Sequence, residues 1–308
     1  MARERLRALW YALGIPALAI AAFLFLWGQG AARVNTSLGT VPGPLQVLAQ
    51  AKGLLDEHLA ERAKAADFYA RQAARNEARR AEDPQAEVAV HAWTGKPTFV
   101  DQIATSLKTV FTGFLLASLA AVPLGILCGS SRAVQAALNP MIQVFRPVSP
   151  LAWLPIVTLI VSALYVTSGE PMFEKSFLVS AITVTLCSLW PTLINTAVGV
   201  TSVDRDLINV SRVLQLPWTT RVRSIVVPSA LPYIFTGMRL SLGVGWMVLI
   251  AAEMLAQNPG LGKFVWDEFQ NGSQESLGRI MVAVLAIGLV GFLLDRLMLA
   301  LQQLAAWS

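Results

Sequence analysis

Long uncharged apolar runs alternate with short charged segments along most of this chain. The runs cover residues 8–27, 109–131, 147–169, 176–203, 224–238 and 280–294. A helix needs about 20 apolar residues to cross a bilayer core of about 30 Å, and most of these runs reach or approach that length. Backbone groups in lipid must be satisfied within their own segment, so helices are the expected spanning form. A large soluble helical core would need polar faces on these segments, and they lack them. The pattern predicts an all-α membrane protein with about six transmembrane helices: one in 8–27, then approximately 105–128, 140–164, 177–198, 231–256 and 278–301.

Three domains follow. Residues 1–31 hold the first transmembrane helix, 32–100 a polar, helical, periplasmic insert, and 101–308 a core with five further spans. In the insert, Pro42-Gly43-Pro44 makes a turn, and strong helix formers with interspersed acids and bases predict a helix over 45–81. A solvated helix with a balanced surface is the favoured reading, ahead of a docking surface for an external partner.

Charge supplies the orientation. Arg3, Arg5 and Arg7 precede the first apolar run, which places the N-terminus in the cytoplasm. That run exceeds the 7–15 residues of a typical signal-peptide core, so an uncleaved helix is favoured over a cleaved leader. Six crossings return the C-terminus to the cytoplasm. They leave Arg132 and then Arg205, Arg212, Arg221 and Arg223 in inner loops at 129–139 and 199–230. The expected outer loops, 167–176 and 257–277, are poorer in Lys and Arg.

Composition narrows the function classes. Hydrophobic residues make up 55% of the 308 and charged residues only 14%, with a formal net charge of +5. Because the basic residues gather at helix ends, this charge points to membrane topology rather than nucleic acid. Cys128 and Cys187 lack metal-ligand spacing and read as packing residues. The only two histidines, His58 and His91, lie in the polar insert, so no cluster supports a membrane-embedded enzyme. No GxxxxGK[ST] phosphate loop is present, so ATP hydrolysis is not expected on this chain.

The segment 204–228 is the most informative. It predicts a short amphipathic helix, a break at Pro217 and a second helix for which Pro217 suits the first turn. Leu207, Val210 and Leu214 share one face. Such a face, held between two spans, packs either on the chain's own helix ends or in a groove of a cytoplasmic partner. A channel working without ATP would not need it.

This segment resembles the loop signature of ABC importer permeases: E-A-A, three residues, G, nine residues, I, one residue, L-P. The frame falls on Asn209-Val210-Ser211, Gln215, Ile225 and Val227-Pro228, with Asn209 in place of Glu and Gln215 in place of Gly. Val227-Pro228-Ser229-Ala230-Leu231-Pro232, Ala251-Ala252-Glu253-Met254-Leu255, Pro150-Leu151-Ala152-Trp153-Leu154-Pro155 and Trp190-Pro191-Thr192 resemble the nitrate, sulfonate, taurine and cyanate branch. Tyr233-Ile234-Phe235-Thr236-Gly237 and Phe264-Val265-Trp266-Asp267 look most like its nitrate permeases.

The resemblance covers roughly residue 99 to the C-terminus and leaves out the charged insert near 55–93. It implies a homodimer in the bacterial inner membrane, two cytoplasmic ATPase subunits that carry ATP and Mg, and a periplasmic or lipid-anchored substrate-binding protein. A small oxyanion, nitrate or nitrite first, is the expected cargo; sulfonate, taurine, cyanate and bicarbonate are the alternatives. Asp206, Leu207, Asn209, Val210, Ser211, Leu214, Gln215 and Leu216 would form a coupling helix between the fourth and fifth spans.

Charges in spans are costly and mark functional candidates. Lys108, Arg146, Arg239, Glu253, Asp295 and Arg296 are such charges; for each, an interfacial anchor or a helix-to-helix salt bridge is the competing explanation. Arg146, Trp153, Asn195, Arg239 and Glu253 are the candidate pathway residues. No metal site or cofactor is expected on this chain.

Overall fold

A computed structural model describes residues 7, 10–36, 39–83, 88, 90–165, 173–273 and 275–306. Arg3, Arg5 and residues 167–172 of the first expected outer loop lie outside these. Among the described residues the regular elements are helices apart from a hairpin of two-residue strands, β1 Asn35–Thr36 and β2 Gly39–Thr40, paired Asn35 to Thr40 and Thr36 to Gly39.

The helices are α1 Ile15–Ala31, α2 Pro44–Glu82, α3 Phe99–Ser130, α4 Arg132–Phe145, α5 Pro150–Leu164, α6 Lys175–Thr201, α7 Arg205–Val213, α8 Trp218–Arg221, α9 Val227–Ala256, α10 Leu261–Asn271 and α11 Ser276–Ala306. One π-helical turn, Trp10–Gly14, precedes α1, and another, Val222–Val226, joins α8 to α9. Two compact units emerge: Met1–Asp101 with Val265–Leu285, and Gln102–Phe264 with Ala286–Ser308.

Among the described residues, four helical stretches are long and apolar enough to cross a membrane: α3, α6, the run Trp218–Ala256, and Ser276–Ala305. α4 and α5 pass that test only as a pair, bent by 101°. At 17 residues, α1 is a shorter apolar helix. The expected straight span at 140–164 is therefore corrected to two helices broken at 146–149. Pro147 and Pro150 lack backbone N–H donors, and the Ser149 hydroxyl accepts from Leu151 N at 3.3 Å to start α5 afresh. Two predicted loops also change: most of 129–139 belongs to α4, and 257–277 contains α10.

In the Gln102–Phe264 unit, α3 meets α6 along a stripe of small residues four apart: Gly113, Ala117, Ala121, Gly125 and Gly129. This is the spacing that lets two spanning helices approach closely. A Cβ on Gly113 would lie 2.7 Å from Val184 Cβ, on Gly125 2.5 Å from Thr196 Cβ, and on Gly129 2.5 Å from Val200 Cβ.

The α6–α9 contact is polar at one point. Pro191 sits inside α6, and beside it Ser241 of α9 enters the hydrogen-bond ladder. Its hydroxyl donates to Ser188 O and accepts from Thr192 N at 3.1 Å, with Thr192 Oγ1 at 2.7 Å. A side chain inserted into the ladder is a recognised cause of helix bending.

In the other unit, α2 is solvated over most of its surface and buries a narrow stripe: Val47, Leu54, Ala65 and Gln72. The segment 90–98 runs back along it. Gln72 clasps the His91 backbone in both directions at 2.9 and 3.0 Å, Tyr69 OH accepts from Trp93 N at 3.0 Å, and His58 Nδ1 lies 2.7 Å from Thr98 Oγ1. Arg279 pairs with Glu57 and, at 3.4 Å, with Glu268. Both histidines thus have structural partners within the insert.

Candidate functional site

α7 is fixed at both ends by local hydrogen bonds. At its start the Asp204 carboxylate accepts from Asp206 N at 2.9 Å. At its end Leu216 N donates to Ser211 O and Gln215 N to Arg212 O, both at 3.0 Å. This pair of bonds is a Schellman stop, which requires a left-handed residue just past the helix. Gln215 fills that place with φ +50°. A glutamine thus bears the strain of a Cβ in a conformation that glycine adopts freely.

The two faces of α7 differ. Ser211 is buried, and its hydroxyl donates to Ile208 O at 2.6 Å. Leu207, Val210 and Leu214 lie on the flank beside it, 45%, 53% and 63% exposed. Asp206, Asn209 and Gln215 are exposed and Leu216 half-buried. The apolar face is thus left uncovered by the chain's own helix ends.

The five pathway candidates do not converge. Arg146 borders a cavity of about 760 Å³ between α4 and α6, with Asn139, Gln143 and Leu193. Trp153 packs on Phe145 with ring centres 5.9 Å apart, and Phe145 stacks on Trp190 at 6.4 Å and 8°. Asn195 donates to Pro191 O at 2.8 Å, and its Cβ lies where a Cβ on Gly237 would approach within 2.8 Å. Arg239 forms a two-pronged pair with Asp295 at 2.5 and 2.8 Å, joining α9 to α11.

Lys108 lies over the Phe177 ring and Arg296 over that of Phe292, at 5.4 and 5.0 Å. Lys108 and Phe177 join α3 to α6, Arg239 and Asp295 join α9 to α11, and the Arg296–Phe292 contact lies within α11.

Glu253 is 1% exposed. Ser106 Oγ of α3 donates to its carboxylate, 2.7 and 2.9 Å from the two oxygens, and Gly262 N donates at 2.9 Å. Ser106 Oγ in turn accepts from Leu261 N at 2.9 Å. Gly260, with φ +150°, passes so close that a Cβ there would lie 2.2 Å from the carboxyl carbon. Asn258 donates to Ser180 Oγ of α6 at 2.6 Å. The carboxylate thereby locks the turn at 257–260 to α3, while Asn258 ties it to α6. Sequence reasoning singled out Glu253 and missed Ser106, Ser180, Asn258 and Gly262, because nothing local links residues so far apart in the chain.

Residues 121–306 match a family model described as the binding-protein-dependent transport system inner membrane component. The nitrate import permease protein NrtB of Leptolyngbya laminosa is 39% identical over 196 residues, covering 64% of this chain and 65% of that protein. The bicarbonate transport system permease protein CmpB of a Synechocystis strain is 39% identical over 206 residues, covering 67% of this chain and 68% of that one. The chain thus spans a little under two thirds of the length of the NrtB relative.

A solved inward-facing structure of the MetNI methionine ABC transporter aligns with TM-score 0.57 at 14% identity, over 67% of this chain and 95% of that one; this likeness is one of fold. The family match covers more than half of the 308 residues, and the chain belongs to the family of binding-protein-dependent transport system inner membrane components.

Proposed function

We propose that this chain is the membrane-spanning permease subunit of an ATP-driven importer for a small oxyanion, nitrate first. It carries no enzymatic step of its own. Two copies form the membrane part, two cytoplasmic ATPase chains supply ATP and Mg, and a periplasmic or lipid-anchored binding protein delivers the anion. The chain crosses the inner membrane six times, with α1 and the bent α4–α5 pair as two of the spans and both termini in the cytoplasm.

The observation that carries the reading is the uncovered apolar face of α7, held on a short helix with fixed ends between two spans. A face of this kind suits insertion into a partner groove. We assign it to coupling: closure of the ATPases on ATP draws the two α7 helices together and reorients the pathway. Arg146, Trp153 and Asn195, around the α4–α5 bend and α6, are the proposed pathway residues. Arg239, neutralised by Asp295, and Glu253, sealed by its donors, serve the scaffold.

Nitrate is supported by the NrtB relatives and by the resemblance of Tyr233–Gly237 and Phe264–Asp267 to nitrate permeases. A second reading, bicarbonate, is supported by the CmpB relatives at 37–39% identity. Sulfonate, taurine and cyanate have only the branch resemblance behind them.

The test is ATPase activity in proteoliposomes holding this chain and its ATPases, with binding protein loaded with nitrate or bicarbonate. Stimulation by the nitrate-loaded protein, lost in Leu214→Asp, is the expected result. Stimulation by bicarbonate alone moves the substrate. Failure to assemble with any ATPase overturns the importer reading.

A further inference from the structure

α7 has a second face. Arg205, Ile208, Asn209 and Arg212, spaced i, i+3, i+4 and i+7, point away from Leu207, Val210 and Leu214. They line a cleft of about 750 Å³ that Arg132, the first residue of α4, and Arg221 of α8 also line. None of the lining residues is acidic. Among the described residues none of these four arginines is paired with a carboxylate, and the nearby Asp204 is spent on capping α7. Four guanidinium groups around one cleft repel one another unless an anion joins them, and arginine is the side chain best shaped to grip phosphate.

The position of the cleft decides which phosphate. Gly129 and Ser130, the last residues of α3, form one edge, and Val200 and Thr201, the last of α6, another. α3 has 32 residues, roughly 48 Å of helix against a hydrocarbon core of about 30 Å, so its end reaches headgroup level. Trp218, half-exposed on the rim, suits that level as well.

Gln135 and Thr201 line both this cleft and the cavity between α4 and α6, so the two adjoin there. That cavity has an apolar wall, with Ile142 facing Leu193 and Ala197. From Thr201 to Leu193 it follows α6 for roughly 12 Å, most of the depth of one leaflet. Arg146 stands farther on, roughly 16 Å from Gln135 along α4. A cationic mouth at headgroup level opens onto a groove whose α6 wall is apolar through Leu193, Ile194 and Ala197, while its α4 side carries Gln135, Asn139 and Gln143; a phospholipid meets both a headgroup site and an apolar wall there.

We infer that Arg132, Arg205, Arg212 and Arg221 bind the phosphate of an anionic phospholipid whose acyl chain enters the groove between α4 and α6. Basic pockets among helix ends are a known mode of anionic headgroup recognition.

The experiment is native mass spectrometry of the full chain in detergent, titrated separately with phosphatidylglycerol, phosphatidylcholine, short-chain phosphatidylglycerol and inorganic phosphate. Long-chain phosphatidylglycerol is expected to bind at least about tenfold more tightly than phosphatidylcholine. The short-chain form should bind more weakly, and inorganic phosphate should not displace the long-chain lipid. The double substitution Arg132→Gln with Arg212→Gln should lower the phosphatidylglycerol affinity roughly tenfold or more and leave phosphatidylcholine unchanged.

Equal affinity for the two headgroups overturns the proposal, as does displacement by inorganic phosphate. So does a double variant that keeps its phosphatidylglycerol affinity, since the arginines would then not hold the headgroup. The headgroup and chain-length comparisons need only the wild-type chain and stand whether or not the variant folds.

Discussion

Glu253 and the outer face of α7 invert the usual rule of polarity in opposite ways, and the chain treats them differently. Glu253 is a carboxylate buried in a membrane unit, and the chain resolves it internally with Ser106, Gly262 N–H and a glycine that makes room. Leu207, Val210 and Leu214 are apolar side chains left in the open, and the chain resolves nothing. A buried charge without partners costs several kcal/mol, so it must be satisfied within the fold. An exposed leucine costs far less and can await a partner. The first inversion is closed inside the fold, and the second is the face proposed above for coupling.

The largest expected effect breaks the first half of this contrast. Glu253→Ala removes the acceptor shared by Ser106 and Gly262 and leaves a hole under Gly260, and a loss of about 2–5 kcal/mol follows from the stranded donors and the cavity. Thermal unfolding of the detergent-purified chain measures it; a variant as stable as wild type would mean the carboxylate is not scaffold.

Next is Ser241→Ala, which strands Ser188 O and Thr192 N beside Pro191. About 1–3 kcal/mol should be lost, read by the same unfolding assay, with Ser241→Thr closer to wild type if its methyl is accommodated.

Gln215→Gly acts in the opposite direction. It relieves a left-handed residue carrying a Cβ and should raise stability by about 1 kcal/mol. Denaturant midpoints of the two proteins decide.

Smallest in stability is Leu214→Asp, expected within about 0.5 kcal/mol of wild type because the side chain is already exposed. Its effect should fall on ATPase stimulation. A large drop in stability would show that α7 is covered by its own chain, and the contrast with Glu253 would collapse.

Several features of the molecule are legible in the linear sequence. Helix α2 was expected at 45–81 and is found at Pro44–Glu82, because a run of strong helix formers bounded by Pro-Gly-Pro needs no tertiary information. The helical character of α3, α6, α9 and α11 follows from apolar runs too long and too uniform for anything else. The two-faced character of α7 follows from the spacing of Leu207, Val210 and Leu214 alone. Family membership was readable from a loop whose spacing survives although Asn209 and Gln215 depart from its letters.

Other features were decided only in three dimensions. The bend of 101° between α4 and α5 lies in an apolar stretch that reads as one span, and hydropathy carries no direction. The helix α10 hides in a stretch that reads as loop. Small residues at every fourth position of α3 were present in the sequence, but which helix they meet depended on the packing of α6. Ser106 lies 147 residues from Glu253, and Ser241 lies 49 from Thr192. Composition and periodicity describe what each segment can bury, since burial is a property of one face. Which polar groups then satisfy one another is a property of pairs, and only the folded chain brings the pairs together.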